Sequence, residues 1–214
     1  MSVTHSIKIE NLSLGFEKIL FDNIDLEVKR NEITILKGES GVGKSTLLKI
    51  ILGLQPITKG KVIVEGIHLN SANVKEVRSK IAWLPSNLDA IFRGVLIDFI
   101  RKVLNGANSK VEREVIEHNF KNLNLKPSLL LNEFENISSG EKQRVGLIIC
   151  KLLNREIFIL DEPTSNLDDE NIKVIENFIL GFNSTVLMIS HNNSLVENAN
   201  RIFELKNHKI EIIK

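Results

Sequence analysis

Gly38-Glu39-Ser40-Gly41-Val42-Gly43-Lys44-Ser45 is a glycine-rich stretch that predicts the fold of this chain. It matches the pattern G-x-x-x-x-G-K-[ST], in which glycines let successive backbone N–H groups face one bound phosphate. The short apolar run 33–36 before it predicts a buried strand, and the run 46–52 after it predicts a helix that stops at Gly53. A strand, a glycine loop and a helix N-terminus together predict a site for the phosphates of a nucleotide.

The residue types of this loop predict individual contacts. Lys44 would reach the β- and γ-phosphates, and the Ser45 hydroxyl would take a site on Mg²⁺. The alternative is a glycine turn that binds nothing, and the match at all four fixed positions argues against it. The residues predicted to contact the nucleotide here are Gly38, Glu39, Ser40, Gly41, Val42, Gly43, Lys44, Ser45 and Thr46.

Composition excludes several classes of protein. The 214 residues carry 28 Lys+Arg against 27 Asp+Glu, so no basic field attracts nucleic acid, and we expect no nucleic-acid partner. The one cysteine, Cys150, excludes an intrachain disulfide, and its apolar helical surroundings predict a buried core thiol. Residues 1–6 do not resemble a signal peptide, and no apolar run approaches the roughly 20 residues of a membrane helix. We therefore expect a cytoplasmic chain that reaches a membrane only through a partner.

Hydrophobic patterning predicts a mixed α/β fold. Apolar and polar residues alternate in two stretches within 7–28, which predicts antiparallel strands, and Glu65-Gly66 predicts a hairpin turn. The continuous apolar runs 157–160 and 186–189 predict parallel strands covered on both faces. A helix over 172–180 separates these two runs, and a closing hairpin is expected around 206–209.

The segment 88–153 has a different pattern. Apolar residues recur at helical spacing in 95–104, 111–123 and 140–153, with loop signals between them. This pattern predicts a helical segment inserted into the α/β core.

Two acidic residues follow the first of the buried strands. Asp161 would hold Mg²⁺ through water, and Glu162 would polarise the attacking water. Two acids at the mouth of a loop are often inert, but the phosphate-binding loop in the same chain favours a functional pair.

The stretch Asn136-Ile137-Ser138-Ser139-Gly140-Glu141-Lys142-Gln143-Arg144 makes a resemblance specific. A phosphate loop, this stretch, Asp161-Glu162-Pro163-Thr164-Ser165-Asn166-Leu167-Asp168 and then His191 follow in the order of the ATP-binding cassette (ABC) ATPases. The resemblance implies a P-loop NTPase of the ABC type, with an antiparallel β-subdomain and an inserted helical subdomain. It implies one domain over 1–214, with an α/β core in 1–86 and 154–214 and the helical part in 87–153.

The same resemblance assigns further site residues. Phe16 falls where the family stacks an aromatic ring on adenine, His191 resembles the switch histidine, and Asp168 ends the D-loop. Ser138 and Glu141 also form an S-x-x-E capping box, which opens a helix and leaves an anion site at its start. In the family this site meets the γ-phosphate of ATP held by a second subunit, which implies a head-to-tail dimer around two ATP molecules. The residues implied here are Ser138, Ser139, Gly140 and Glu141.

The chain departs from the family at two places. The family pattern is Leu-Ser-Gly-Gly-Gln, and Ser139 adds a side chain where close backbone approach is needed. The family also ends the strand at 81–84 with a glutamine that touches Mg²⁺ and the attacking water, where this chain has Ser86. Either Ser86, through a bridging water, or the amide of Asn87 would then substitute for the glutamine.

The implied function is that of the Mg-dependent ATPase subunit of an ABC transporter, with ATP and Mg²⁺ as cofactors. The implied partners are a transmembrane permease subunit and a second ABC ATPase subunit, identical or different, at the inner face of the cell membrane. The stretch 66–100 resembles exporters, whereas 131–135 lacks their usual Gly-Glu-rich loop. The alternatives are a non-transport ABC ATPase and a regulatory cassette that barely hydrolyses ATP.

Overall fold

The computed structural model describes residues 5–15, 19–89, 91–165 and 167–214. Two short 3₁₀ helices, Pro127–Leu131 and Phe134–Asn136, lie between the fourth and fifth α-helices. In chain order the other elements are β1 (His5–Gly15), β2 (Ile19–Lys29), β3 (Ile33–Lys37), α1 (Lys44–Ile51), β4 (Lys59–Val64), β5 (Ile67–His68), α2 (Val74–Ser79), β6 (Ile81–Leu84), α3 (Leu96–Gly106), α4 (Arg113–Asn122), α5 (Ser139–Leu153), β7 (Ile157–Asp161), α6 (Asp169–Leu180), β8 (Thr185–Ile189), α7 (Asn193–Asn198), β9 (Arg201–Lys206) and β10 (Lys209–Ile212).

A four-stranded antiparallel sheet contains β1, β2, β4 and β5, in the order β2-β1-β4-β5. Ile9 lies opposite both Leu26 of β2 and Val62 of β4, so the alternating apolar residues share one buried face. Glu65 and Gly66, with φ of 49° and 79°, form the tight turn between β4 and β5. The predicted antiparallel strands and hairpin are confirmed.

A six-stranded sheet forms the centre of the fold, in the order β10-β9-β3-β8-β7-β6. Strands β9, β3, β8, β7 and β6 are parallel, and β10 pairs antiparallel with β9. The carboxyl ends of β3, β8, β7 and β6 therefore meet at one edge. The loops that leave this edge contain the glycine loop, His191, the Asp161-Glu162 pair and Ser86.

Strands β7 and β8 are buried at every position because both faces of the central sheet are covered. Ile157 and Ile159 of β7 face the core shared with α1 and the antiparallel sheet. Phe158 and Leu160 face the opposite core, which is shared with the helical segment. Each fully buried side chain of this size contributes roughly 1.5–3 kcal/mol to folding.

The helical segment packs against β6 through α5. A Cβ atom added to Gly146 of α5 would lie 2.4 Å from the Leu84 Cδ1 atom, so the small residue allows close approach of helix and strand. An aromatic cluster of Phe92, Phe99 and Phe134 fills the segment, with the first two rings stacked 4.9 Å apart. The three helices predicted between 95 and 153 are confirmed as α3, α4 and α5.

Two helices begin earlier than expected, and two further helices were not predicted. Helix α1 begins at Lys44 and not at residue 46, and α6 begins at Asp169 and not at residue 172. The six-residue helices α2 and α7 were not predicted, since fewer than two turns show little periodicity. Within the described ranges, no helix combines the length and the apolar character needed to span a membrane.

Candidate functional site: a nucleotide-binding edge of the central sheet

The glycine loop connects β3 to α1 and wraps around the ammonium group of Lys44. This side chain is 7% exposed, and its Nζ donates to the carbonyl oxygens of Gly38 and Glu39 at 2.7 and 2.8 Å. Gly38 has φ of 146°, and an added Cβ would lie 2.4 Å from the Leu205 carbonyl oxygen, so no larger residue fits. Gly43 caps α1 without a side-chain acceptor, which leaves the first-turn N–H groups free for an anion.

Asp161 is the last residue of β7 and is 5% exposed. The side chains of Ser45 and Ser86 hydrogen bond with its carboxyl group. Burial raises the pKa of Asp161, as does the negative charge of Glu162, while hydrogen bonds from Ser45 and Ser86 oppose the rise. The three residues predicted to lie near the metal are therefore brought together.

The donor set at this point fits Mg²⁺. Two hydroxyls and one carboxylate are hard oxygen ligands, and Mg²⁺ in nucleotide sites combines one or two carboxylates with phosphate oxygens and water. Among the described residues there is no group of three or more His, Cys, Asp or Glu side chains that could hold a metal ion without such help. The residues that would hold the ion are Ser45, Asp161 and Ser86.

Glu162 is held in an unusual backbone conformation, with φ of 53°. Its N–H donates to the Ile189 carbonyl at 3.0 Å. Its own carbonyl accepts from the Gln143 amide at 3.2 Å, the Ser165 N–H at 3.1 Å and the Ser165 hydroxyl at 3.0 Å. Left-handed backbone at a non-glycine residue persists only where the surroundings fix it, and such residues concentrate at functional sites.

The sequence motifs assigned no role to Gln143, which donates to the Glu162 carbonyl. Its neighbours Lys142 and Arg144 are charged, so polarity alone did not distinguish Gln143 as a site residue. Which backbone group it contacts depends on the packing of α5 against β7.

His191 is exposed and lies two residues after the end of β8. Strand β8 lies between β3 and β7, so His191 emerges at the same edge as the glycine loop and the acid pair. The next residue, Asn192, caps α7 by accepting from the Leu195 N–H at 3.0 Å. The short helix α7 therefore begins two residues after the histidine.

The predicted capping box is present at the start of α5. Ser138 Oγ accepts from the Glu141 N–H at 3.2 Å, and the Glu141 carboxylate accepts from the Ser138 N–H at 2.9 Å and hydroxyl at 2.8 Å. Ser138 and Ser139 are exposed and Gly140 is buried. No hydrogen bond between described residues joins 138–141 to the loop 38–46 of the same chain, which leaves this helix start accessible to another molecule.

Asp168 is the N-cap of α6, where it accepts from the Asn171 N–H at 2.8 Å and from the Asn171 side-chain amide. These bonds and the positive charge of Arg144 hold the pKa of Asp168 below its usual value. Phe16, predicted to stack on adenine, and Asn166 lie outside the described residues.

The chain resembles known transporter subunits over most of its length. Residues 21–165 match the family described as ABC transporter. An energy-coupling factor transporter ATP-binding protein, EcfA1 of Streptococcus agalactiae, is 30% identical over 220 residues, which cover 98% of this chain and 78% of that protein. The lactococcin-A transport/processing ATP-binding protein LcnC of Lactococcus lactis is also 30% identical over 98% of this chain, and the match spans 31% of its length.

A solved structure supports the fold assignment. The ATP-binding cassette MJ0796, a dimer in a post-hydrolysis state bound to ADP and Pi, superposes with a TM-score of 0.83 at 24% identity. The superposition covers 97% of this chain and 99% of that one, and includes the antiparallel sheet, the central sheet and the helical segment. The chain thus has the P-loop NTPase fold, and it belongs to the ABC transporter family.

Proposed function

We propose that this chain binds Mg-ATP at the edge formed by the loop 38–46 and hydrolyses it to drive transport through a membrane permease. The observation that carries the proposal is the convergence of Ser45 and Ser86 on the Asp161 carboxyl, next to the glycine loop closed around Lys44. These groups supply a cation, backbone N–H donors and hard oxygen ligands at one place. This set is complementary to a nucleotide triphosphate and its metal ion.

Lys44, Glu162 and His191 have separate roles in binding and hydrolysis of ATP. Lys44 exchanges its bonds with the Gly38 and Glu39 carbonyls for the β- and γ-phosphate oxygens. Glu162 orients and polarises the water that attacks the γ-phosphate, and His191, at the same edge, contacts that phosphate. When bound, Mg²⁺ would be held by Ser45 and Asp161 beside Ser86, and would neutralise charge on the phosphate oxygens.

The chain acts in a head-to-tail pair with a second cassette, either identical or different. Residues 1–86 and 154–214 bind ATP, while 87–153 present the α5 start to the ATP of the facing subunit. Ser138, Ser139 and Gly140 offer that γ-phosphate a hydroxyl and N–H groups at a capped helix start. Phe16 stacks on adenine, and Asp168 at the α6 start lies near the contact between subunits.

The partner of the pair is a transmembrane permease subunit, which places the chain on the inner face of the cell membrane. The support is the transporter role stated in the names of EcfA1 and LcnC. A regulatory cassette with slow hydrolysis is the second candidate, because Ser86 replaces the glutamine of the family and Ser139 replaces a glycine.

Binding of ATP to a Lys44→Ala variant tests the proposal. Calorimetry should show tight Mg-ATP binding by the parent and by Lys121→Ala, whose exposed lysine lies on α4. The Lys44→Ala variant should bind at least tenfold more weakly and release no phosphate above background. If Lys44→Ala binds and hydrolyses ATP like the parent, the site assignment is wrong.

A further inference from the structure

Gln143 is a buried polar residue of α5 whose amide is directed at the backbone of Glu162. Its side chain is 4% exposed, and Nε2 donates to the Glu162 carbonyl oxygen at 3.2 Å. A buried polar side chain is unfavourable unless it is hydrogen-bonded. The bond to Glu162 accounts for its presence there.

The Glu162 backbone needs such support. Its φ of 53° is in the left-handed region, which a non-glycine residue adopts at a cost in energy. The Glu162 N–H donates to the Ile189 carbonyl, and the Glu162 carbonyl accepts from Ser165 and Gln143. Ser165 is only three residues away in the chain, whereas Gln143 comes from a different element. Gln143 therefore fixes the Glu162 backbone relative to the helical segment.

Lys142 and Arg144, on either side of Gln143, contact other segments at the same edge of the central sheet. Lys142 Nζ forms an ion pair with Asp89 at 2.8 Å, in the loop that follows Ser86. Arg144 Nη1 donates to Asn171 Oδ1 at 2.7 Å, beside the Asp168 cap. Three successive side chains of α5 thus contact three segments that contain predicted site residues.

We propose that Gln143 is a positioning residue for ATP hydrolysis, which acts by holding the Glu162 backbone so that its carboxylate faces the attacking water. The inference rests on the proposed function, because it assigns Glu162 the role given there. Gln143 does not contact the nucleotide. Its loss should slow the chemical step and leave binding of ATP unchanged.

The test compares two buried amides that each donate to a backbone carbonyl. Gln143→Met removes the donor and keeps the length of the side chain. The matched control is Asn119→Leu on α4, where Nδ2 donates to the Val115 carbonyl at 2.8 Å and the residue is 5% exposed. Both variants are first compared with the parent by thermal melting. If Gln143→Met has lost its fold, Gln143→Glu takes its place.

Gln143→Met should lower kcat for ATP at least tenfold, about 1.4 kcal/mol of transition-state stabilisation, with KM unchanged within twofold. Asn119→Leu should leave kcat within twofold of the parent. In a Glu162→Gln background, Gln143→Met should cause no further loss, because it acts through the Glu162 carboxylate.

Two results would overturn the inference and leave the proposed function standing. One is a Gln143→Met variant with the kcat of the parent. The other is that Gln143→Met lowers kcat by the same factor in the parent and in the Glu162→Gln background. An inactive parent would overturn both proposals.

Discussion

The Ser86 hydroxyl at the end of β6 hydrogen bonds with the Asp161 carboxyl at the end of β7. The neighbouring Asn87 side chain is engaged elsewhere, since its Oδ1 accepts from the Asp89 N–H at 2.8 Å. Two residues were considered as substitutes for the glutamine of the family. Of these, Ser86 contacts Asp161, and Asn87 is engaged within its own loop. The short Ser86 side chain leaves room for a water molecule between its hydroxyl and a bound metal ion.

Ser86→Gln should raise kcat with little change in ATP affinity, since a longer amide reaches the attacking water directly. Asn87→Ala should change kcat by less than threefold, because the Asn87 side chain is used within its own loop. Steady-state phosphate release and calorimetric ATP binding measure both effects. If Asn87→Ala costs ~100-fold in kcat, about 2.7 kcal/mol, Asn87 and not Ser86 is the substitute.

Asp161 should lower the stability of the nucleotide-free protein at neutral pH. Burial raises its pKa, so the folded state binds the proton more tightly than the unfolded state. The contribution of Asp161 to the free energy of unfolding therefore falls as pH rises from the usual aspartate pKa through the raised pKa of the folded state. Asp161→Asn should accordingly melt at a higher temperature than the parent at pH 7 while losing ATPase activity.

Melting curves between pH 4 and pH 7 check this prediction. The difference in melting temperature between Asp161→Asn and the parent should shrink toward the acid end of the range, because the carboxyl of the folded parent becomes increasingly protonated there. An Asp161→Asn protein that melts at or below the temperature of the parent at pH 7 would show that the hydrogen bonds from Ser45 and Ser86 outweigh the cost of burial.

Glu162→Gln should accumulate as an ATP-bound dimer, because the helix start at Ser138 completes a site only in a facing subunit. Light scattering with Mg-ATP should give about twice the 24.2 kDa of one chain, and the Lys44→Ala variant should stay monomeric. Monomers throughout, at high protein and nucleotide concentrations, would argue against a homodimer. Mixing with a second cassette then tests the heterodimer.

Much of this fold is encoded locally. The apolar runs of β7 and β8 predict strands covered on both faces, and the Ser138–Glu141 spacing predicts the capped start of α5. Each of these signals depends on neighbours within a few residues in the chain, so a single sequence carries it in full. The buried thiol of Cys150, whose pKa is raised by burial to about 12, follows from its apolar helical surroundings in the same way.

The contacts that assemble the site are not local. The bond from Gln143 to Glu162 joins residues 19 apart, and the bond from Ser86 to Asp161 joins two strands whose pairing the sequence pattern does not state. The positive φ of Glu162 is likewise imposed by Ile189, Ser165 and Gln143 together. Motif order named most of the candidate residues, but tertiary packing determines which of them touch.

Single-turnover ATP hydrolysis by Glu162→Gln and by the parent, with bound ATP quantified in both, tests whether this edge of the central sheet is the ATPase site. The variant should bind Mg-ATP as tightly as the parent and release phosphate at least 100-fold more slowly, about 2.7 kcal/mol of lost transition-state stabilisation. Phosphate release by Glu162→Gln at the rate of the parent would contradict the assignment of this edge of the sheet as the ATPase site.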